Sequence, residues 1–311
     1  MNKTVVCVGT AILDCVIRGF DPVPVSETGF TAESTALFPG GEAVNQSVTF
    51  SKLGMEPRIV CGTGFDSASE ILLGTLRDHQ VDTRFTVRRE EMNTPVTVMF
   101  LDEKGNRKSI TNSAHRYNFR PDRDLSYLEG AAALSLGSLF RAPFNDPGIV
   151  FRVVSAAKDR GIPVYADTKL PNFRKLSLED LRDSLPLLDF ITPNEQEAAY
   201  YTGKEDPEAC ADVFLSFGVK NVIVKLGANG CLLKNEKECL RLPAEKVTAV
   251  DATGAGDNFA AGFITARLLG VELPKALRFA NVCGAICATK TGATTALRSF
   301  AQVEEFLEKT L

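Results

Sequence analysis

The sequence has little histidine, no long apolar run and no marked excess of either charge. Its 311 residues include two histidines, and 35 basic residues stand against 39 acidic ones. A net charge of -4 gives no reason to expect a nucleic-acid or membrane-surface partner. No apolar run reaches the roughly 18 residues of a transmembrane helix, and no secretory cleavage pattern follows the first apolar residues. We therefore expect a cytoplasmic protein that acts on small molecules.

Cysteine spacing and several enzyme motifs are also missing. The eight cysteines lack the paired spacing of a zinc site or a disulfide framework, which predicts reduced residues in the core. The phosphate-loop pattern of P-loop enzymes, the strings of protein kinases and the nucleophile motif of serine hydrolases are absent. The turn after Gly9 lacks the glycine pattern of a dinucleotide-binding loop. These absences argue against four common enzyme classes.

Short β-branched runs alternate with amphipathic stretches along most of the chain. The predicted strands are Val5–Val8, Arg58–Gly62, Ala133–Gly137, Pro163–Asp167, Phe190–Thr192 and Val222–Leu226. The predicted helices are Ala43–Leu53, Ala68–Asp78, Asp146–Arg160, Asp206–Phe217, Ala255–Leu269 and Pro274–Thr289. The alternation predicts one α/β domain over residues 1–311, with a doubly wound, mostly parallel sheet and helices on both faces.

Two segments interrupt this alternation. Residues 15–38 are turn-rich and polar, and residues 94–111 indicate two alternating strands joined around residues 102–106. Because both segments leave the same predicted sheet, we expect them to pair into a small β-sheet lid over its ligand-binding edge.

A glycine-rich turn opens the helix predicted at residue 255. The small residues Gly254, Ala255 and Gly256 allow consecutive backbone N–H groups to converge, and the helix dipole adds positive potential, so the turn suits a phosphate group. Asp257 lies in the first helical turn, where its carboxylate is placed to accept the proton of an attacking hydroxyl. The alternative is that Asp257 only complements the helix dipole.

The longer string that contains this turn, residues 249–259, resembles the C-terminal signature of the ribokinase-like (PfkB) carbohydrate kinase family. Residues 39–46 resemble its N-terminal signature, and the resemblance spans nearly the whole chain. It implies a ribokinase-like fold, ATP as phosphate donor, Mg²⁺ as cofactor and a small sugar-like acceptor. The surrounding residues resemble an uncharacterised bacterial branch of sugar kinases.

The resemblance also assigns the acceptor site. It implies substrate binding by Asp14, Gly40, Gly41 and Asn45, and we add Lys169 as a candidate cation near the ligand edge. The chemistry is suitable, since Asn45 offers a donor and an acceptor to neighbouring hydroxyls while Asp14 accepts from them. Each residue also has a structural alternative, such as ending a strand or capping a helix.

The nucleotide and metal sites come from the resemblance alone. It implies nucleotide contacts at Asn194, Lys225, Gly227, Gly230 and Asn281, with Glu197 acting on Mg²⁺ through bound water. A potassium site would involve Asp251, Thr253 and Gly292. Asp251 has a structural alternative, which is to fix the glycine turn by accepting backbone N–H bonds.

The acceptor itself stays open. Glu42 occupies a position where ribose kinases of this family carry lysine, and a carboxylate there disfavours an acceptor that is already phosphorylated. A cation at Arg141, Lys169 or Arg174 would suit a sugar acid. A nucleoside kinase of the same family and a non-catalytic sugar- or nucleotide-binding regulator are the alternatives, and a homodimer formed through the lid is a further expectation.

We predict that Asp257→Asn retains ATP binding and lowers kcat by about 10²- to 10⁴-fold, because the amide preserves the shape of the side chain but takes no proton. Coupled ADP release measures this change. A variant with nearly normal kcat would reduce Asp257 to a dipole-complementing role.

Overall fold

The computed structural model describes residues 2–18, 32–101, 107–112, 119–172 and 174–309. Its strands are β1 Thr4–Val8, β2 Ile12–Arg18, β3 Ser34–Gly40, β4 Glu56–Val60, β5 Gly62–Thr63, β6 Val87–Arg88, β7 Val96–Leu101, β8 Arg107–Thr111, β9 Ala133–Leu139, β10 Val164–Thr168, β11 Phe190–Ile191, β12 Asn221–Lys225, β13 Cys231–Asn235 and β14 Cys239–Leu242. Its α-helices are α1 Glu42–Lys52, α2 Ser67–Asp78, α3 Pro147–Asp159, α4 Glu195–Thr202, α5 Pro207–Ser216, α6 Ala255–Leu268, α7 Leu273–Cys287 and α8 Phe300–Lys309.

The main sheet has the order β14-β13-β12-β11-β10-β9-β1-β4. The six strands from β12 to β4 are parallel, and β13 and β14 add an antiparallel hairpin at one edge. The predicted α/β fold is therefore confirmed, and each predicted strand and helix has its counterpart. The sequence patterns did not predict the β13–β14 hairpin or the helices α4 and α8. The helix α4 gives little signal because it is short and weakly amphipathic.

Helices cover both faces of this sheet, as predicted. Val5 and Cys7 of β1 belong to a core cluster that includes buried side chains of α1, α2, α6 and α7. Val6 and Val8, which point the opposite way, belong to a second cluster with α3 and α5. Because the strand is buried on both faces, its sequence is a continuous apolar run rather than an alternating one.

The two interrupting segments form a separate four-stranded sheet with the order β3-β2-β7-β8. β2 is parallel to β7, and the two outer pairs are antiparallel. The strands begin earlier and end later than the predicted segment 15–38, so that Asp14 lies inside β2 rather than at the end of a strand. The predicted turn at 102–106 and residues 19–31 lie outside the described residues.

The small sheet presents two chemically different faces. Leu37, Cys15, Val98 and Ile110 stand in one row across the four strands, with Leu37 and Ile110 exposed. The neighbouring row of the opposite face contains Phe38, Asp14, Thr97 and Thr111. Thr111 lines the main cavity of the molecule, so the polar row belongs to the face turned towards that cavity.

None of the helices in the described ranges is long and apolar enough to cross a membrane. All eight cysteines are free thiols. Most are buried, including the α7 residues Cys283 and Cys287, which agrees with their predicted place in the core.

Candidate active site

The glycine-rich turn leads into α6. Gly254 is the N-cap residue and has a φ of 77°, in the left-handed region that favours glycine. A Cβ atom at this position would also overlap the side chain of Ala293. Two independent constraints, backbone conformation and close approach, therefore require glycine at the start of α6.

Asp257 is buried in the first turn of α6, with 6% of its surface exposed. Its Oδ2 atom accepts a hydrogen bond of 2.8 Å from Nδ2 of Asn45, which links α6 to α1. Its Oδ1 atom is buried and has no hydrogen-bond partner within the described part of the chain. The pKa of Asp257 is raised to about 7, chiefly by burial; Lys169 and the Asn45 hydrogen bond oppose the rise, whereas Glu42 and Asp167 add to it.

The side-chain amide of Asn258 holds the glycine turn in place through hydrogen bonds to three other residues. Its Nδ2 atom donates to the carbonyl oxygens of Gly254 and Ala293 at 2.8 and 2.9 Å, and its Oδ1 accepts from Thr49 of α1 at 3.2 Å. The sequence interpretation did not single out Asn258. A buried amide in an otherwise apolar helix is the signal that could have identified it.

Asp251 anchors the same turn from the other side. Its Oδ1 accepts from the backbone N–H of Thr253 at 3.0 Å, and its Oδ2 accepts from that of Gly292 at 3.1 Å. The carbonyl of Thr253 accepts from the thiol of Cys287. The residues predicted for potassium are thus close together, but these contacts match the structural alternative for Asp251 and give no independent support to a cation cage.

A second, half-buried charged group lies beside Asp257. Nζ of Lys169 is 3.6 Å from Oε1 of Glu42, and the hydroxyl of Thr10 donates to the other oxygen of Glu42 at 2.5 Å. Burial opposes ionisation of Glu42, but Lys169 and the Thr10 hydrogen bond outweigh it and lower the pKa of Glu42 to about 2. Burial likewise opposes the charge of Lys169, yet Glu42 and Asp257 raise its pKa. Both groups are therefore ionised.

A third group surrounds Lys225 at the end of β12. Its Nζ atom lies 2.6 Å from Oδ1 of Asp167, and a Cβ atom at Gly256 would lie 3.2 Å from the same Nζ. Lys225 is therefore beside the glycine turn. The second oxygen of Asp167 is buried and unpaired among the described residues. Asp167 was not among the predicted site residues, although an aspartate at the carboxyl end of a buried parallel strand is a recognisable signal.

Asn194 and Glu197 form a capping box at the start of α4. Oδ1 of Asn194 accepts from the backbone N–H of Glu197 at 2.8 Å, and Oε2 of Glu197 accepts from the backbone N–H of Asn194 at 3.0 Å. The same Glu197 oxygen accepts from the hydroxyl of Thr168 at 2.8 Å. Burial raises the pKa of Glu197, with a further contribution from Asp167 and opposition from Lys225.

The other predicted nucleotide residues divide into two kinds. Gly230 is required by packing, since a Cβ atom there would overlap the carbonyl of Leu242 in β14. Asn281 donates to the carbonyl of Pro243 at 3.1 Å and so holds the segment after the hairpin. Gly227 has a φ of 55°, and no heavy atom lies within 4 Å of the position that a Cβ atom would occupy there.

The predicted acceptor residues lie where the small sheet joins the main domain. A Cβ atom at Gly40, the last residue of β3, would overlap the carboxylate of Asp14. Gly41 has a φ of 87° and approaches the carbonyl of Thr10, so glycine is required at both positions. Asn45 follows one turn later, and its buried Oδ1 has no partner among the described residues.

A cavity of about 600 Å³ opens between the small sheet and the main domain. Thr10, Glu42 and Ser138 line it near the buried charges, and Arg120, Arg141 and Arg174 also contribute to its wall. Asp257 and Asn45 do not belong to the lining. None of the predicted acceptor residues Asp14, Gly40, Gly41, Asn45 and Lys169 is in the lining, although Ile12 of β2 and Glu42 of α1 are. The cavity therefore lies next to the predicted acceptor residues without including them.

Comparison with known proteins matches residues 2–299 to the pfkB family of carbohydrate kinases. Ribokinase of Haemophilus influenzae is 27% identical over 314 residues, which cover 99% of each chain.

Two solved structures are also similar over the whole chain. Arabidopsis thaliana ribokinase in complex with ribose and ATP has a TM-score of 0.86 at 26% identity, with 99% of each chain covered. A putative ribokinase II from E. coli in complex with ATP and Mg²⁺ has a TM-score of 0.83 at 26% identity, with 99% of this chain and 100% of the other covered.

We predict that Gly254→Ala lowers kinase activity at least about 100-fold, because the added methyl group meets Ala293 and displaces the turn's N–H groups. Gly270→Ala is the matched control, since Gly270 has a φ of 78° but nothing within 4 Å of its Cβ position. Both variants carry left-handed strain of about 1–2 kcal/mol, and only Gly254→Ala should lose activity. Equal activity of the two variants in coupled ADP release would contradict a functional role for the turn.

Proposed function

The chain belongs to the pfkB family of carbohydrate kinases, and we propose that it transfers the γ-phosphate of ATP to a hydroxyl group of a small, unphosphorylated sugar-like acceptor. The observation that carries this proposal is Asp257, buried at the start of α6 with one carboxylate oxygen held by Asn45 and the other unpaired. A buried oxygen atom without a hydrogen-bond donor costs free energy, and the hydroxyl group of a bound substrate would supply the missing donor.

Asp257 is the base in this reaction. Its Oδ1 accepts the acceptor hydroxyl's proton while the hydroxyl oxygen forms its bond to the γ-phosphorus, and the bond between that phosphorus and the bridging oxygen breaks to release ADP. Asn45 holds Oδ2 and so orients the carboxylate. Since Oδ1 is closed to solvent, the hydroxyl reaches it only with a local movement of the groups around it.

The turn Gly254–Gly256 serves as the anion hole, with Ala255 between the two glycines. Backbone N–H groups at the start of α6 and the helix dipole stabilise the negative charge of the transferred phosphoryl group. Lys225, whose Nζ lies beside Gly256, adds a positive charge at the same place. This combination of donors and charge supports phosphoryl transfer over a dipole-complementing role for Asp257.

Asp14, Gly40, Gly41 and Asn45 bind the acceptor. The unpaired Oδ1 of Asn45 accepts from an acceptor hydroxyl, and Asp14 lies on the row of the small sheet that faces the cavity. Lys169 was predicted to bind substrate, and its Nζ atom lies 3.6 Å from Oε1 of Glu42. We therefore assign Lys169 to holding Glu42 and Asp257 ionised rather than to a direct contact.

For the nucleotide, we propose Asn194, Lys225, Gly227, Gly230 and Asn281 as the wall of the ATP site, with Lys225 at the phosphate end. Magnesium fits at Glu197 and Asp167, because Asp167 keeps a buried oxygen without a partner and Mg²⁺ is commonly held by one or two carboxylates together with phosphate. When bound, the ion neutralises phosphate charge. Potassium at Asp251, Thr253 and Gly292 stays a prediction, tested by comparing KCl with NaCl in the assay.

The reaction is tested by coupled ADP release with a panel of sugars, sugar acids, sugar phosphates and nucleosides. We expect turnover with an unphosphorylated acceptor, and a kcat lowered by about 10²- to 10⁴-fold with Asp257→Asn. Preference for a nucleoside would select the nucleoside-kinase alternative. Binding of sugar and ATP by calorimetry without any ADP release would select the non-catalytic regulator.

The small sheet is proposed to close over the acceptor and to carry a homodimer interface on its outer face. Its inner face borders the cavity, whereas its outer face places exposed Leu37 and Ile110 in one row with Cys15 and Val98. An exposed apolar row on a four-stranded sheet with two edges is typical of a surface that associates. We also place the protein in the cytoplasm, in keeping with eight free thiols, and cell fractionation tests this.

We predict that kcat/KM rises with pH and levels off above about pH 7, because Asp257 must lose its proton before it acts as the base. Glu42→Gln removes a charge that raises the pKa of Asp257, so the acidic limb should move to lower pH. Lys169→Met removes a charge that lowers it, so the limb should move to higher pH. Profiles at saturating Mg-ATP that are flat, or unmoved in both variants, would contradict Asp257 as the titrating base.

For the small sheet, we predict that β2, β3, β7 and β8 gain protection from hydrogen exchange when acceptor binds, while α8, which contributes no residue to the cavity lining, changes little. Ile110→Glu should sediment as a monomer and keep the fold, since Ile110 is 66% exposed. Thr35→Glu, on the outer face of the same small sheet, is a control outside the row that contains Leu37 and Ile110. Unchanged exchange would mean a static sheet, and unchanged sedimentation would exclude this interface.

A further inference from the structure

Arg141 is a fixed cation in the wall of the main cavity. It follows β9, and its Nε atom donates to the carbonyl of Leu170 at 2.6 Å. That bond leaves the two terminal nitrogen atoms of the guanidinium group for other partners. Within the described residues, no carboxylate lies within ion-pair distance of Arg141.

Each of the other charged groups of the cavity wall already has an ion-pair partner. Glu42 is paired with Lys169. Arg120 donates two hydrogen bonds to Asp122, at 2.9 and 2.8 Å.

Asp146 also has its own partners. It caps α3 through the backbone N–H groups of Gly148 and Ile149, and it lies 3.9 Å from Arg174. Arg141 is thus the one lining charge without an acidic partner in the described part of the chain.

The backbone around Arg141 is held in an uncommon conformation. Ser138 and Phe140 have φ values of 68° and 75°, in a region that bulky residues rarely adopt. Phe140 stacks on Tyr201 with ring centroids 3.9 Å apart, and the Tyr201 hydroxyl donates to the carbonyl of Lys169 at 2.5 Å. The segment before Arg141 is therefore positioned by the same contacts that position Lys169.

We infer that Arg141 binds a carboxylate group of the acceptor, so that the preferred substrate is a sugar acid. The inference rests on the proposed kinase function and deepens it. An arginine fork matches a carboxylate with two parallel hydrogen bonds, and a buried or half-buried cation gains most from such a partner. One unpaired cation suits one negative charge, whereas the second charge of a phosphate ester would find no further unpaired cation among the described residues of this wall.

The test compares acceptors that differ only at one end. Five- and six-carbon aldonates, the corresponding alditols and the corresponding sugar phosphates serve as probes in coupled ADP release. We expect kcat/KM to be at least about tenfold higher for an aldonate than for its alditol, because a charge-assisted bidentate bond is lost in the neutral compound.

Arg141→Gln should lower kcat/KM for the aldonate about 10- to 100-fold, chiefly through KM, and leave the alditol within about threefold. Arg141→Lys should recover part of the loss. Arg174→Gln is the matched control in the same wall, since Arg174 is exposed and already faces Asp146, and it should leave the aldonate preference unchanged. Thermal unfolding of each variant confirms that it folds.

Preference for the alditol or the sugar phosphate, or equal losses for aldonate and alditol in Arg141→Gln, would overturn the carboxylate site and leave the kinase function standing. Absence of ADP release with every probe of the wider panel would instead overturn the proposed function.

Discussion

Burial of the Asp257 carboxylate is the constraint on which the rest of the site depends. Burial raises the pKa of Asp257 from 3.8 to about 7, a net shift that already includes the opposing effects of Lys169 and Asn45. The ionised form persists near neutral pH only because groups from other elements oppose this penalty. Asn45 of α1 donates to it, Lys169 after β10 supplies positive charge, and the start of α6 directs its dipole towards it. Each of these groups needs the packing of α1 and α6 on the sheet.

The charged groups around Asp257 alternate in sign, so that each charge has a neighbour of opposite sign. Lys169 is itself half-buried and is stabilised by Glu42, while Glu42 is stabilised by Lys169 and the hydroxyl of Thr10. Lys225 and Asp167 repeat the pattern on the side of the glycine turn. Removing one member of such a buried set leaves an unpaired charge, so these residues act together rather than singly. A single lysine in place of Glu42 would therefore require changes around Lys169 as well.

Much of this architecture could be predicted from local sequence. The strands could be predicted from short β-branched runs. The turn before Asp257 could be predicted from Gly254 and Gly256, because few other backbone conformations require such closely spaced glycines. Lys169 and Glu42 were both noticed, but their pairing was not predicted, because it joins elements far apart in sequence. Asn258 and Asp167 were missed for a similar reason, since their importance depends on what faces them. The β13–β14 hairpin and the position of Asp14 inside β2 depend on tertiary pairing that periodicity does not reveal.

The junction at Gly41 divides the acceptor site between two parts of the fold. Asp14 belongs to the small sheet, whereas Asn45 and Asp257 belong to the main domain, and the chain passes from one part to the other through two glycines that close packing requires. Substitutions on the strands can therefore reshape the surroundings of the acceptor without disturbing the Asn45–Asp257 pair. The fold separates the evolution of substrate choice from the preservation of the chemistry.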